Sequence, residues 1–141
     1  MDQKTSGINE AIGRAMKHAD AIDAPVAISI VDDGGHLLAF LRHSKTKLVA
    51  CTTAVGKARC AVMFSRDSSV TEEMAKLNPV AFQSFVTASE LSFTIGSGGY
   101  FIDKLGLRIG VGVAGATPHL DEIVGEMIRD QLLALFEHSS E

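Results

Sequence analysis

The sequence predicts an α+β fold, in which a largely antiparallel sheet of five strands packs against helices. Two strand-like runs flank the tightest turn signal of the chain, Asp33-Gly34-Gly35. Three more strand-like runs lie together at 91–114. Apolar residues recur at helical spacing before the hairpin, between the two groups of strands and at the end of the chain. This order of elements is typical of helices packed against an antiparallel sheet.

Length and composition exclude several classes of protein. The 141 residues fit a single domain, 1–141, that can bury roughly two thirds of its unfolded surface. The net charge of -4 gives no electrostatic case for binding nucleic acid, so we expect a small molecule or a protein as partner. The chain contains neither a run of about 20 apolar residues nor a signal-peptide core, so we expect no membrane partner and a cytoplasmic location.

The first helix is predicted over about residues 7–22, where apolar residues recur every three or four positions. Ser6 is the candidate N-cap, and the chain leaves the helix at 23–25. His18 lies near the C-terminal end and away from the centre of the apolar stripe. Its side chain is either a cation that complements the helix dipole or a ligand to a bound group.

The hairpin follows, with strands at 26–31 and 36–42. The first run is apolar and β-branched, as in a strand covered on both faces. Residues 33–35 accept the positive φ angles that a two-residue hairpin turn requires. This turn predicts a fold element and does not by itself indicate chemistry.

A mostly buried helix is predicted over 48–64, because Lys57 and Arg59 are its only charged residues. A lysine in such a helix either extends to the surface or meets an anion. Cys51 and Cys60 are nine positions apart, which places them about 180° apart around the helix and about 13 Å apart along it. They cannot form a disulfide with each other, so we expect reduced thiols; a single thiolate that binds a metal or haem is the alternative.

The second half of the chain contains shorter elements. Short helices are predicted at 71–77 and 81–90, a strand at 91–95, and two further strands that begin at 100 and 107. Glycines at 110 and 112 leave one sheet face without side chains, which suits a helix or ligand that approaches the backbone closely. Thr117 and Pro118 open the final helix, where Asp121 and Glu122 complement the helix dipole.

One apparent nucleotide-binding motif is rejected. Gly110 to Gly115 matches the dinucleotide-binding fingerprint and precedes a helix, but a β-α-β unit needs a further parallel strand after that helix. Only the helix and a short polar tail remain. A weaker hypothesis remains, in which free main-chain N–H groups beside Gly115 and His119 bind a carboxylate or phosphate.

The spacing of the histidines along the chain does not indicate a metal site. The five histidines contain no pair with zinc-ligand spacing, and no serine lies in a nucleophile elbow. His36 and His119 each adjoin a turn that contains glycine, so their side chains can reach a cleft. They are the candidate acid–base groups or axial ligands, and a solvated turn histidine is the alternative for each.

Four segments carry a family resemblance over nearly the whole chain. They are, in order, Val31 to Gly35 with Arg42, Lys57-Ala58 with Ala61, Gly98-Gly99, and Gly110 to Gly115 followed by Asp121. In this order and spacing the chain resembles the GlcG-like family, which includes the haem-binding HbpS proteins and the C-terminal domain of PduO-type proteins. The resemblance implies a profilin-like fold with a five-stranded antiparallel sheet between helices, and assembly into a homo-oligomer. The chain departs from the family at 116–119, where a glycine-rich polar stretch is often found.

The resemblance implies a domain that binds haem or another carboxylate-bearing small molecule, and no other cofactor. Because axial ligation varies in this family, the iron ligand is open among the candidates His18, His36 and His119. Arg42 or Lys57 would meet the ligand's carboxylates. The glycines of the shared segments would let the ligand approach the backbone: Gly98, Gly99 and Gly115.

Two other functions stay open from the residues. The first is a cofactor-independent enzyme, a tautomerase, lyase or hydrolase, in which Arg42 or Lys57 holds a small organic acid while His36 or His119 moves a proton. The second is a structural or regulatory subunit whose function lies in assembly, which the high apolar content supports.

Overall fold

The computed structural model describes residues 2–139, which form five helices and four strands. The elements are, in chain order, α1 (Gln3–Ala21), β1 (Ala27–Asp32), β2 (Leu37–Arg42), α2 (Leu48–Phe64), α3 (Ser68–Leu77), α4 (Pro79–Ala88), β3 (Gly99–Lys104), β4 (Leu107–Ala114) and α5 (Pro118–Ser139). The predicted α+β class is confirmed. Helix α2 has the predicted bounds, whereas α1 begins four residues earlier than predicted because Asp2, and not Ser6, caps it.

The four strands form one antiparallel sheet in the order β2-β1-β4-β3. Helices α1 and α5 cover the face that carries Ile28, Ile30 and Val111. Helix α2 covers the opposite face, where the Ser29 hydroxyl donates to the Ala54 carbonyl at 2.8 Å. The close approach predicted at Gly112 is confirmed, because a Cβ added there would overlap the Ala54 carbonyl oxygen.

The predicted fifth strand, at 91–95, is wrong. This segment passes over α2, where the Thr94 amide donates to the Gly56 carbonyl at 3.1 Å. Phe93 packs edge-on against Phe64 with the ring centroids 5.4 Å apart. The alternation of residues 91–95 therefore reflects contacts with a helix and with an aromatic cluster, and no strand pairs with it among the described residues.

The hairpin turn also differs from the two-residue prediction. The Asp32 amide donates to the His36 carbonyl at 2.9 Å, so the loop has three residues. The Asp32 carboxylate accepts hydrogen bonds from the amides of Gly34 and His36, both at 2.9 Å. Of these loop residues only Gly35, at φ 83°, is left-handed. A turn closed by one left-handed glycine is the usual form of a three-residue hairpin loop.

Among the described residues, no single helix is long and apolar enough to cross a membrane. Helices α2 and α3 pass that test only as a pair, and a bend of 76° separates them.

Candidate functional site

The side chain of Lys57 is buried at the centre of a small charged cluster. Its Nζ donates to the Val113 carbonyl at 3.0 Å and lies 3.6 Å from Oδ2 of Asp121. The other carboxylate oxygen of Asp121 accepts from the Ala116 amide at 3.0 Å. The cluster joins α2, β4 and α5, so the lysine meets an anion that belongs to the protein itself.

Burial shifts both ionisable groups of this pair. Loss of solvent lowers the pKa of Lys57, while the charges of Asp121 and Glu72 oppose that change. Loss of solvent likewise raises the pKa of Asp121, against the hydrogen bond from Ala116 and the charge of Lys57. In both groups desolvation outweighs the attraction between partners, as is usual for buried ion pairs.

Gly98 and Gly99 lie beside Lys57. A Cβ added at Gly98, where φ is 113°, would lie 2.5 Å from the Val113 carbonyl oxygen and 3.3 Å from Lys57 Nζ. The amide of Gly99 donates to the Ser68 hydroxyl at 2.8 Å. Because both glycines lack a side chain, the main chain can pass directly over Lys57. It therefore covers the lysine against an incoming carboxylate.

Arg42 and Gly115 both lie beside Thr46. The Arg42 guanidinium donates to the Thr46 carbonyl at 3.3 Å. A Cβ added at Gly115, where φ is 119°, would lie 3.0 Å from the Thr46 methyl group. Nearby, the start of α5 is capped by Thr117, which accepts from the Leu120 amide at 3.1 Å. The amides of Ala116, Leu120 and Asp121, which flank the hypothetical anion site, are thus engaged by the protein.

The three candidate histidines lie on different elements, and all are exposed. His18 is in the last turn of α1, His36 precedes β2, and His119 is in the first turn of α5. Within residues 2–139, no hydrogen bond or ion pair joins their imidazoles to Arg42 or Lys57. In the described part of the chain, the three candidate imidazoles are therefore not paired with either candidate cation.

A different histidine, His43, is fixed by two partners. Its Nε2 lies 2.8 Å from the Asp20 carboxylate, and its Nδ1 accepts from the Lys45 amide at 3.1 Å. An acceptor at Nδ1 places the proton on Nε2, which then donates to Asp20. The sequence carries no signal for this long-range pair, which fastens the loop before α2 to α1.

A groove lies between β2 and α2. It has a volume of about 440 Å³ and is lined by Leu37, Phe40, Cys51, Thr52, Val55, Gly56, Arg59, Ser92 and Thr94. Its walls are mostly apolar, and Arg59 is its one charged residue. The Arg59 Nε donates to the Gly35 carbonyl at 3.0 Å, which orients the guanidinium group and leaves its two terminal nitrogens available. The volume lies in the range of small-molecule sites.

The two cysteines are free thiols, as predicted, and differ in access. Cys51 is half-buried in the groove wall, whereas Cys60 is fully buried, and burial raises its pKa to about 11. We expect a thiol reagent to modify one cysteine of the native protein, Cys51, and both after unfolding, because reaction requires an accessible thiolate. Peptide mass mapping of the labelled protein checks this, and native labelling of Cys60 would contradict it.

The described residues contain no cluster of three potential metal-binding side chains of His, Cys, Asp or Glu.

A family model described as "Haem degrading protein HbpS-like" matches residues 4–128. The chain belongs to the HbpS-like family. The resemblance seen in the sequence is thereby confirmed. No curated protein matches the chain significantly.

Solved structures of the same fold cover most of the chain. Klebsiella pneumoniae ORFY is 22% identical with a TM-score of 0.79, and the match covers 92% of this chain and 90% of that chain. A double mutant of HbpS from Streptomyces reticuli is 25% identical with a TM-score of 0.73, covering 89% and 84%. The complex of PduOC with haem is 21% identical with a TM-score of 0.77, covering 93% of each chain.

Proposed function

We propose that this HbpS-like chain binds haem or another planar, carboxylate-bearing molecule in the groove between β2 and α2. The observation that carries the proposal is the combination of apolar walls with one oriented guanidinium group, Arg59. Family membership supports it, because the family is described as haem-degrading and the structurally similar PduOC was solved as a haem complex. Binding is the step that haem storage, sensing and degradation all require.

The residues of the groove fit the chemistry of haem. Leu37, Phe40 and Val55 offer apolar surface to a porphyrin face, and Arg59 offers two terminal nitrogens to a propionate. This assigns to Arg59 the role that the sequence suggested for Arg42 or Lys57, both of which have protein partners. When bound, haem supplies an iron centre that takes an axial ligand from the protein.

His36 is our choice among the candidate axial ligands. It adjoins Leu37 of the groove wall and follows Gly35, whose carbonyl holds Arg59. Neither His36 nor His119 lines the groove itself, but His36 is next in the chain to a residue that does, whereas His119 lies in the first turn of α5. His18 belongs to α1, which packs on the other face of the sheet. The thiol of Cys51 is the alternative ligand in the groove wall.

Titration with haemin tests the site. We expect saturation near one haemin per chain with a sharp Soret band, and His36→Ala should shift that band. Arg59→Met should keep the band position but weaken binding about 10- to 100-fold, since a charge-assisted hydrogen bond contributes about 1.5–3 kcal/mol. His18→Ala and His119→Ala are the matched controls, and circular dichroism should show that each variant is folded.

Three results would contradict the proposal. Absorbance that rises without saturation would mean adventitious binding to the surface. A Soret shift in His119→Ala, with none in His36→Ala, would place the iron at the start of α5. Haemin that fails to protect Cys51 from a thiol reagent would place the ligand outside the groove.

We propose further that the chain assembles into a homo-oligomer. Apolar side chains are exposed on several elements of the described chain: Leu38 of β2 is 40% exposed, Leu48 of α2 is 80% exposed and Val80 of α4 is 85% exposed. Exposed apolar surface of this kind is typical of interaction sites.

A further inference from the structure

The rest of the fold covers one edge of the sheet and leaves the other edge open. At the β3 edge, the Gly99 amide donates to the Ser68 hydroxyl at 2.8 Å and the Phe101 amide donates to the Asp67 carboxylate at 3.1 Å. Side chains at the start of α3 thus occupy the hydrogen-bonding positions at which another strand would pair. Natural sheets commonly block an exposed edge in this way.

The β2 edge is open. The His43 amide donates to the Val26 carbonyl, so the amides of alternate residues face β1 and those of Phe40 and Arg42 face away from the sheet. Within residues 2–139, no other element donates to or accepts from the main chain of Phe40. Residues 37–41, Leu-Leu-Ala-Phe-Leu, contain no lysine or proline to protect the edge. The pairing with β1 shifts register between Ile30 and Val31, so the regular part of the free edge is 39–42.

Apart from Arg42 at its end, the exposed side chains of β2 are apolar on both faces. Leu37 is 52% exposed and Leu41 is 36% exposed. A strand with free main-chain groups and exposed apolar side chains has the features of a strand-pairing surface. We therefore expect the partner of this open edge to be another apolar strand.

Charge at the two ends of β2 indicates which strand that is. The hairpin end carries Asp32 and Asp33, with Arg59 held against Gly35. The opposite end leads into Arg42, Lys45 and Lys47, with Asp20 held against His43, so the two ends keep opposite signs. If two copies of β2 pair antiparallel, the acidic end of each lies beside the basic end of the other. In a parallel pair, like charges would meet at both ends, which is unfavourable.

We propose that β2 pairs antiparallel with β2 of a second copy about a two-fold axis, forming one continuous sheet with four strands from each chain. The inference rests on the proposed self-association and identifies its surface. Phe40 lies on the paired edge and also lines the groove, so the two ligand sites approach each other across this axis.

Light scattering after size-exclusion chromatography, at several protein concentrations, tests the surface. Leu38→Lys places a charge beside the partner strand and should raise the dimer dissociation constant about tenfold or more. Leu105→Lys is the matched control, because Leu105 is 45% exposed in the β3–β4 turn, far along the sheet from β2. Val80→Lys tests the competing apolar face on α4. Both should dimerise as the unmodified chain does.

A charge swap tests the antiparallel arrangement. Asp33→Lys and Lys45→Glu should each weaken the dimer, and the double variant should recover affinity because the opposite charges again face each other. Failure of the double variant to recover would overturn the antiparallel pairing. If Val80→Lys abolishes the dimer and Leu38→Lys does not, the chain self-associates but not through β2. A monomer at every concentration would overturn self-association as well, while the haemin titration reports separately on the ligand site.

Discussion

Replacing Asp121 by asparagine should destabilise the protein by about 3 kcal/mol, because the variant leaves the Lys57 ammonium buried without its ion-pair partner. The side chains of Lys57 and Asp121 are only 9% and 6% exposed, so water cannot solvate the remaining charge. Asparagine keeps an oxygen that can accept from the Ala116 amide. The loss of stability therefore reports on the missing charge and not on that hydrogen bond. Chemical denaturation measures the change in the free energy of unfolding.

The double variant Lys57→Met/Asp121→Asn is the decisive comparison. Since both charges are then absent, it should recover most of the stability lost in Asp121→Asn, as replacement of a buried ion pair by uncharged residues is often close to neutral. A double variant less stable than Asp121→Asn would mean that Lys57 stabilises the fold through contacts other than the ion pair.

The pH dependence of stability follows from the same pair. Lys57 has a lowered pKa, so its contribution is present above about pH 10.5 and is lost as the pH falls through that lowered pKa. Below that window, at neutral pH, both groups are charged and the pair contributes no slope. Stability curves of Lys57→Met should lack the alkaline rise.

The elements that could be predicted are those whose environment is set by their own residues. Helix α2 has the predicted bounds because an apolar run with two charges has few alternatives to a buried helix. The final helix begins at Pro118 because Thr117 and Pro118 form a local cap. The false strand at 91–95 has a strand-like pattern, but its neighbour is Gly56 of α2, and no local signal distinguishes contact with a helix from contact with a strand.

The candidate site was less predictable for a related reason. Lys57 was recognised as a buried cation that either reaches the surface or meets an anion, but its partner, Asp121, is 64 positions away on another helix. The groove joins residues of β2, α2 and the segment after α4, so no single stretch of sequence contains it. Arg59 could have been singled out, since it is the second charge of α2, yet only the fold shows that Gly35 orients it.

Replacing Gly112 by alanine should destabilise the protein by about 3 kcal/mol or prevent folding, because no movement of a side chain can make room for the added methyl group. Its Cβ would overlap the Ala54 carbonyl oxygen and lie 2.7 Å from the Ala58 amide nitrogen, and both atoms belong to the main chain of α2. Relief would require the helix to move off the sheet, which overpacking studies place at the upper end of about 1–3 kcal/mol.

Gly13→Ala is the control for Gly112→Ala. Nothing lies within 4 Å of an added Cβ at Gly13, and the residue is inside α1, so alanine should stabilise the protein by up to about 1 kcal/mol. Thermal unfolding of the two variants should therefore shift in opposite directions. A Gly112→Ala variant as stable as the unmodified chain would mean that α2 does not rest directly on the sheet. The groove between α2 and β2 would then lack its rigid wall.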